Sequence, residues 1–470
     1  MIFCMDQPCF WPRGSYRIGC IDIDPACAPH RKAITGLLTP RNSATQRRRP
    51  MKFRRKIYMV GGALTPFIGK MHPDFIWKKH PDFGTRENPT LEETLSAAIQ
   101  KALADTNVDA DAIEKGFIGN FAGELFSNQG HLGAMAVRAD EKLNGKPFTR
   151  VEGACASGGL AAIGAIDALN AGYDVVMAAG AEVQTTVSAR EGAGFLARAS
   201  HWEEEREIDD FTFPAMFARR AKFYKEKFGV TDEDIAHVTV KAYANANKNP
   251  LAHMREVTMT LENASAASDR NPAFLRNPEL KEHLKVSDCS QVSNGGAAVI
   301  LASEDGLKKL GIDPSDCVEI LGYAHTTSPL GRVNDYTVLD NTELAAKQLY
   351  EETGLRPSDI DVAEVHDCFA VTELLMYEAL GFAEPGKGAE LARSGATAID
   401  GDIPVNTGGG LIAYGHPVGA TGVKQLLEIY RQMKGQCGDY QMPNAPTVGL
   451  TANMGGDDRT TVVMALKNVD

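Results

Sequence analysis

A stretch of small residues reads VEGACASGG at residues 151–159 and continues directly into an apolar segment at residues 160–169. Its small residues predict a tight turn, and the apolar segment predicts a buried helix. Cys155 is therefore expected at a helix start, where unpaired N–H groups and the helix dipole favour a thiolate. A lone cysteine in such a turn is more often a small buried hydrophobic residue. The stretch alone leaves both interpretations open.

A second glycine-rich turn reads NTGGGLIAYGHPVGATG at residues 406–422 and leads into a predicted helix at residues 423–433. Pro417 stands where the first turn of a helix tolerates proline. The pattern therefore predicts that His416, like Cys155, lies at a glycine-framed helix start.

A third segment predicts a strand at residues 361–365 because its apolar residues alternate with polar ones. It is followed by HDCFA at residues 366–370 and by a predicted helix at residues 371–380. Active-site residues often lie at the ends of such elements. The candidate catalytic residues are the two thiols and two imidazoles of Cys155, His366, Cys368 and His416.

Composition excludes several classes of protein. The chain has 470 residues and a net charge of −12, which argues against nucleic acid as the main partner because phosphate binding needs a basic surface. No apolar run approaches the roughly 20 residues of a membrane-spanning helix. Nine cysteines without a Cys-x-x-Cys pair predict no metal site and indicate reduced thiols. We therefore expect a cytoplasmic protein that does not span the membrane.

The first fifty residues differ from the rest. They contain four scattered cysteines and end in a basic run that includes Arg47, Arg48 and Arg49, while the first clear strand pattern follows Met51. Residues 1–50 are expected to be an N-terminal extension. Two interpretations stay open for it: a transit peptide, which would place the protein in mitochondria, or a mis-assigned start.

From Met51 onward, predicted strands alternate with predicted helices, which is typical of sheets covered by helices on both faces. The pattern breaks in the middle of the chain and resumes near residue 287. The order of elements then repeats, so that the Cys155 turn aligns with the His416 turn, as in a duplicated domain. The predicted domains are an N-terminal domain at 51–185 with 287–306, an inserted loop domain at 186–286 and a C-terminal domain at 307–470.

These motifs resemble those of the thiolase family over nearly the whole chain after Met51. CAS at residues 155–157 is similar to the family's nucleophile motif, and GHP at residues 415–417 is similar to its histidine motif. HDCF at residues 366–369 resembles the variant found in thiolases of the sterol carrier protein type. The resemblance implies duplicated α/β/α domains in a five-layered αβαβα fold, with an inserted helical loop domain.

The resemblance also implies a reaction. Cys155, activated by His416, would take the acyl group of a 3-oxoacyl-CoA, and the same steps reversed would give a Claisen condensation. Cys368 would move the proton at C2 of acetyl-CoA, and His366 would bind the thioester oxygen. Substrates would be acyl-CoA thioesters and CoA, with no separate cofactor, and the family implies a homodimer or homotetramer.

One segment departs from the family. The late loop, residues 452–458, reads ANMGGDD and lacks the cysteine that most thiolases carry there. The backbone N–H groups of Cys155 and of Gly455 or Gly456 are expected to bind an oxyanion. Asp457 and Asp458 would oppose that charge unless they point away. Two alternatives therefore remain: a CoA- or lipid-binding protein with little turnover, and a ketosynthase-like condensing enzyme.

Overall fold

The computed structural model describes residues 53–469, so the predictions made for residues 1–50 lie outside the described residues. Within residues 53–469 the chain forms nine strands. They are β1 (Ile57–Leu64), β2 (Lys115–Gly119), β3 (Phe148–Val151), β4 (Val175–Glu182), β5 (Gly295–Ser303), β6 (Val318–Thr327), β7 (Val362–Val365), β8 (Val448–Gly455) and β9 (Thr460–Asn468).

Fourteen α-helices connect or cover these strands within the same residues. They are α1 (Leu91–Thr106), α2 (Gly123–Phe126), α3 (Leu132–Ala136), α4 (Ser157–Ala171), α5 (Ala189–Leu196), α6 (Trp202–Glu205), α7 (Thr212–Phe228), α8 (Asp232–Ala246), α9 (Leu261–Ser265), α10 (Glu304–Leu310), α11 (Asp340–Thr353), α12 (Ala370–Ala379), α13 (Gly388–Arg393) and α14 (Thr421–Met433).

The sheet order is β3-β2-β4-β5-β1-β6-β9-β8-β7, and its two halves have the same topology. In the first half β2 and β4 are parallel, while β4–β5 and β5–β1 are antiparallel. In the second half β7 and β8 are parallel, while β8–β9 and β9–β6 are antiparallel. Val405 forms a parallel bridge with Ala363 of β7, and this bridge corresponds to the parallel pairing of β3 with β2 in the first half. This topology confirms the predicted duplication.

The two half-sheets meet only at the starts of β1 and β6, where Tyr58 pairs with Glu319 and Met59 with Val318. Both strands carry a bulge shortly afterwards, between Met59 and Gly61 in β1 and between Ile320 and Gly322 in β6. Bulges bend a strand and increase its twist. The two half-sheets therefore diverge from a short junction and leave room for helices between them.

Helices α4 and α14 fill that room. Helix α4 packs on β2 and β4, α14 packs on β7 and β8, and the two helices pack against each other. Helices α1 and α11 cover the outer faces of the two half-sheets. The result is the predicted five-layered αβαβα arrangement, in which the helices that follow the Cys155 turn and the His416 turn are neighbours.

Helix α4 is also apolar enough to cross a membrane by length and composition, over residues Ala154–Ala171. Two strands and α14 cover it, and 67% of that stretch is buried inside the protein. Such burial is typical of the core helix of a globular protein.

The segment between β4 and β5 contains helices α5 to α9 and no strand. Helices α7 and α8 pack against α12, which follows the HDCF motif. Phe217 of α7 stacks on Phe369, with ring centroids 4.5 Å apart. This contact joins the middle segment directly to the end of β7, where two candidate residues lie.

Candidate active site

Cys155 lies in the turn between β3 and α4. Ala154 has a left-handed backbone, with φ of 52°. The Ser157 hydroxyl donates to the Ala154 carbonyl at 2.6 Å and accepts from the Gly153 N–H at 3.0 Å, which fixes the turn. Helix α4 begins at Ser157, three residues before the apolar segment that predicted it and two residues after Cys155. Cys155 precedes the helix and lies outside its first turn.

His416 is held in its turn by one side-chain contact. Its Nδ1 lies 2.7 Å from the hydroxyl of Thr421, and that hydroxyl donates to the Pro417 carbonyl at 3.0 Å. Because a carbonyl only accepts, the Thr421 proton is used there, and Nδ1 must carry the proton that joins it to Thr421. Nε2 of His416 is then the unprotonated nitrogen, and it is buried without a hydrogen-bond partner.

The prediction of a helix start at His416 was wrong, because α14 begins five residues later, at Thr421. Gly415 has φ of 118°, and a Cβ there would lie 2.6 Å from the Ser293 hydroxyl. Ser293, just before β5, and Phe67, just after β1, crowd the turn, so glycine is required at this position.

His366 and Cys368 follow the end of β7, as predicted. Asn453 of β8 donates its side-chain N–H to Nδ1 of His366 at 3.3 Å and to the Cys155 carbonyl at 3.1 Å. The amide thereby ties the cysteine turn to the HDCF motif. Sequence reasoning missed Asn453, although it stands in the late loop, because nothing in its local pattern distinguishes it from an ordinary strand residue.

The structure brings three of the four candidates into direct proximity. The sulfur of Cys155 and one ring nitrogen each of His366 and His416 all lie within 4.8 Å of one another. The two imidazole rings are nearly perpendicular, with centroids 5.0 Å apart. One sulfur and two nitrogens at this spacing could also hold a metal ion, since thiolate and imidazole are ligands that zinc prefers. Cys368 is buried beside them.

Burial keeps the nucleophile and base candidates neutral. It raises the pKa of Cys155 to about 12, although the N–H groups of Gly456 and of Cys155 itself contact the sulfur and lower that pKa. Burial also lowers the pKa of His416 to about 3. The expectation of a thiolate at rest was therefore wrong, because loss of hydration outweighs the two N–H groups. The resting pair is a thiol and a neutral imidazole.

The second pair is neutral for the same reason. Burial holds the pKa of His366 well below its usual value, and the nearby His416 lowers it further. Burial raises the pKa of Cys368 well above its usual range, as does the neighbouring Cys155. The site thus contains proton donors and acceptors but no fixed charge on these four groups, and it stabilises an anion only through its N–H donors.

The late loop supplies one of those donors. Residues 452–455 belong to β8, and the chain turns at Gly456, whose N–H contacts the Cys155 sulfur. A Cβ on Gly455 would lie 2.1 Å from the Gly153 carbonyl, so this glycine lets β8 approach the cysteine turn. Of the two predicted backbone donors, Gly456 is the one whose N–H contacts the sulfur.

Both aspartates of the late loop are directed elsewhere. Asp457 pairs with Arg220 of α7, and both side chains are buried. Asp458 accepts hydrogen bonds from the backbone N–H groups of Asn341 and Thr342 at 2.8 and 3.1 Å. Arg220 binds one carboxylate oxygen of Asp457 and the start of α11 binds Asp458, so both carboxylates are held by partners outside the cysteine turn.

A network of buried charges lies behind the HDCF motif and was not predicted from the sequence. Lys424 of α14 pairs with Glu364 of β7 at 2.6 Å, and both side chains are 1% exposed. Asp367 accepts from the backbone N–H of Leu411 at 2.6 Å, and burial raises its pKa well above the usual range. The Asp367 contact fixes the HDCF motif against the glycine-rich turn that carries His416.

Comparisons with known proteins agree with this architecture. Residues 80–305 match the family model described as "Thiolase, N-terminal domain". Residues 322–468 match the one described as "Thiolase C-terminal domain-like". The two matches together contain the Cys155 turn, the HDCF motif, the His416 turn and the late loop.

Three similar proteins are informative. Acetyl-CoA acetyltransferase of Methanothermobacter thermautotrophicus is 38% identical, over 77% of this chain and 90% of that protein. Sterol carrier protein 2 of Oryctolagus cuniculus is 34% identical, over 76% of this chain and 64% of that protein. The Acat5 thiolase of Ascaris suum, solved in complex with coenzyme A, has a TM-score of 0.62 at 17% identity and covers 88% of this chain and 100% of that one. The last similarity concerns the fold alone.

Proposed function

The chain belongs to the thiolase family, and on that premise we propose that it is an acyl-CoA C-acyltransferase that cleaves 3-oxoacyl-CoA with CoA or catalyses the reverse condensation. The observation that carries the proposal is the convergence of Cys155, His366 and His416 within 4.8 Å, beside Cys368 and the Gly456 N–H. That arrangement has a nucleophile, two proton carriers and donors for two oxyanions.

Acyl transfer begins at Cys155. Its sulfur attacks the C3 carbonyl of the substrate while Nε2 of His416 takes the thiol proton. The two events must be concerted, because the pKa of about 12 leaves almost no free thiolate at neutral pH. The Thr421 contact keeps Nε2 unprotonated and ready to accept.

The tetrahedral oxyanion at C3 needs donors close to the sulfur. The N–H groups of Cys155 and Gly456 already contact that sulfur, so they are the groups we assign to this oxygen. Donors that are held in place before the reaction stabilise developing charge without reorganisation, and losing one typically costs ~10²–10³ in rate.

Collapse of the intermediate breaks the C2–C3 bond. The acyl group stays on Cys155, and the electron pair leaves as the enolate of acetyl-CoA. His366 donates a hydrogen bond to the enolate oxygen through Nε2, since Nδ1 accepts from Asn453. The Cys368 thiol protonates C2 and becomes a thiolate. That thiolate takes the thiol proton of CoA as CoA attacks the acyl-Cys155 thioester, and His416 returns its proton to the departing sulfur of Cys155.

The test is thiolysis of acetoacetyl-CoA and of longer or branched 3-oxoacyl-CoA by purified protein, with mass spectrometry of the acylated peptide. We expect shortened acyl-CoA and an adduct on Cys155. Cys155→Ala should abolish both, whereas Cys317→Ala, which changes a free cysteine outside the three motifs, is the matched control. An acyl group found only on another cysteine would contradict the assignment.

The same assay separates the two alternatives. A binding protein with little turnover would bind CoA thioesters without forming an acyl-enzyme. A ketosynthase-like enzyme would release carbon dioxide from a malonyl thioester, a reaction that two histidines and a cysteine can support. Cys368 beside His366 favours the thiolase reaction, because decarboxylation generates the carbanion without removing a proton from carbon.

We also propose a cytoplasmic homodimer or homotetramer that uses CoA thioesters as substrates without a separate cofactor. The proposal follows from the family and from the reduced cysteines. Light scattering of the purified protein tests the oligomeric state. Fractionation of cells tests the location, and import into mitochondria would support the transit-peptide interpretation of residues 1–50.

A further inference from the structure

We propose that Arg220 and Asp457 are positioning residues whose buried ion pair holds the Gly456 N–H at the oxyanion position beside Cys155. Asp457 directly follows Gly456, so the position of its backbone constrains the donor. The inference rests on the proposed acyl transfer at Cys155 and adds Arg220 of α7 and Asp457 of the late loop to the machinery of that reaction.

The first support is that Arg220 holds the Asp457 side chain in a fixed position. The Asp457 carboxylate contacts Nε of Arg220, and the two side chains are 2% and 0% exposed. The same guanidinium donates through Nη1 to the carbonyls of Tyr336 and Val338, at 3.1 and 2.8 Å. Arg220 is therefore fixed to a segment outside the late loop and cannot follow Asp457 if the loop shifts.

The second support comes from the far side of the turn. Helix α11 has no capping side chain of its own, and Asp458 supplies the carboxylate that accepts its first N–H groups. The Asp458 backbone is left-handed, with φ of 60°, a conformation that residues other than glycine rarely adopt. Fixed contacts on Asp457 and Asp458 hold the strained turn that directs the Gly456 N–H towards the sulfur.

The third support is electrostatic. Asp457 lies near enough to the site to raise the pKa of Cys368, so its negative charge acts on the reacting groups. An unpaired carboxylate there would also oppose the C3 oxyanion. The guanidinium of Arg220 contacts that carboxylate and offsets its charge, so the pair fixes the donor while limiting repulsion of the oxyanion.

The test uses Asp457→Asn alone and combined with Arg220→Met. The single variant leaves a buried cation without its partner, which can prevent folding, and the double variant removes that cation. Asp174→Asn is the matched control, because it breaks ion pairs with Arg55 and Lys309 at the start of β4. Arg220→Lys keeps the charge and should recover part of the activity.

Two rates are compared in each variant: acylation of Cys155, and exchange of solvent deuterium into C2 of acetyl-CoA. Exchange depends on His366 and Cys368, so it is a readout that general loss of structure would also lower. We expect acylation to slow by roughly 10- to 100-fold at nearly unchanged KM, with exchange retained, because a small misplacement of an oxyanion donor is costly.

The inference is wrong if the folded double variant acylates Cys155 at the native rate, or if both rates fall by the same factor. It is also wrong if Asp174→Asn shows the same selective loss. Absence of any adduct in the native protein would instead overturn the proposed function, and the inference with it. The native adduct and the variant rates therefore report on the two proposals separately.

Discussion

The hydroxyl of Thr421 lies 2.7 Å from Nδ1 of His416 and donates its own proton to the Pro417 carbonyl. This pairing determines which ring nitrogen is basic. One ring nitrogen of His416 lies within 4.8 Å of the Cys155 sulfur, and burial keeps the imidazole neutral. A residue at the first position of α14 thus sets the protonation of a residue five positions earlier.

Thr421→Val should therefore lower kcat/KM for thiolysis by about 10- to 100-fold, part of the ~10²–10⁴ that a general base contributes. The variant keeps the side-chain shape but loses the oxygen that selects the tautomer. Thr421→Ser is the control and should stay near the native value. Equal activities of the Val and Ser variants would show that Nδ1 needs no partner.

Cys368→Ala should separate the two halves of the reaction. The variant should still accept an acyl group on Cys155 from a simple acyl-CoA, since that step needs no carbanion. It should lose cleavage and condensation by ~10²–10⁴-fold, because the proton at C2 has no carrier. Cleavage of acetoacetyl-CoA at a near-native rate would assign the proton to another group, with His366 as the first candidate.

Alkylation of Cys155 by iodoacetamide should be slow at neutral pH and rise with pH up to about pH 10 without a plateau. The direction follows from the raised pKa of about 12, because only the thiolate reacts and its fraction grows tenfold for each pH unit below the pKa. Mass spectrometry of the modified peptide measures the rate. A plateau near pH 8 would indicate an ordinary or activated thiol.

Gly455→Ala should destabilise the protein and lower its activity together. The new Cβ would lie 2.1 Å from the Gly153 carbonyl, and neither backbone segment can move freely. Overpacking of this kind typically costs about 1–3 kcal/mol. Gly194→Ala in α5 is the control, because its Cβ meets nothing within 4 Å and alanine favours a helix. Similar melting temperatures for the two variants would contradict the close approach.

The sequence predicted the elements that carry the site well, because their signals are local. Strand β7 was predicted at residues 361–365 and runs from Val362 to Val365. The repeat was visible because each half follows the same order of strands and helices. Helices α4 and α14 begin at Ser157 and Thr421, slightly before the predicted starts at residues 160 and 423, because the glycines and small polar residues of their first turns carry no apolar pattern.

Short sequence motifs were enough to select the four candidate residues Cys155, His366, Cys368 and His416, because each lies in a short segment with a recognisable pattern. Motifs did not identify three other residues, Asn453, Thr421 and Arg220. Asn453 and Arg220 contact partners that are distant in sequence, and the hydroxyl of Thr421 has no feature that distinguishes it from other threonines at a helix start. No pattern within β8 shows that Asn453 will contact both the cysteine turn and His366.

The available residue types, the alternation of strands and helices, and the duplication that gives the five layers can all be predicted from the amino-acid sequence. The charge state of the thiol and the direction of the late-loop aspartates cannot, because they are properties of the folded chain. Both depend on burial and on long-range partners: desolvation raises the pKa of Cys155, and Arg220 and helix α11 bind Asp457 and Asp458. Desolvation and pairing arise only when distant segments pack, so no local pattern encodes them.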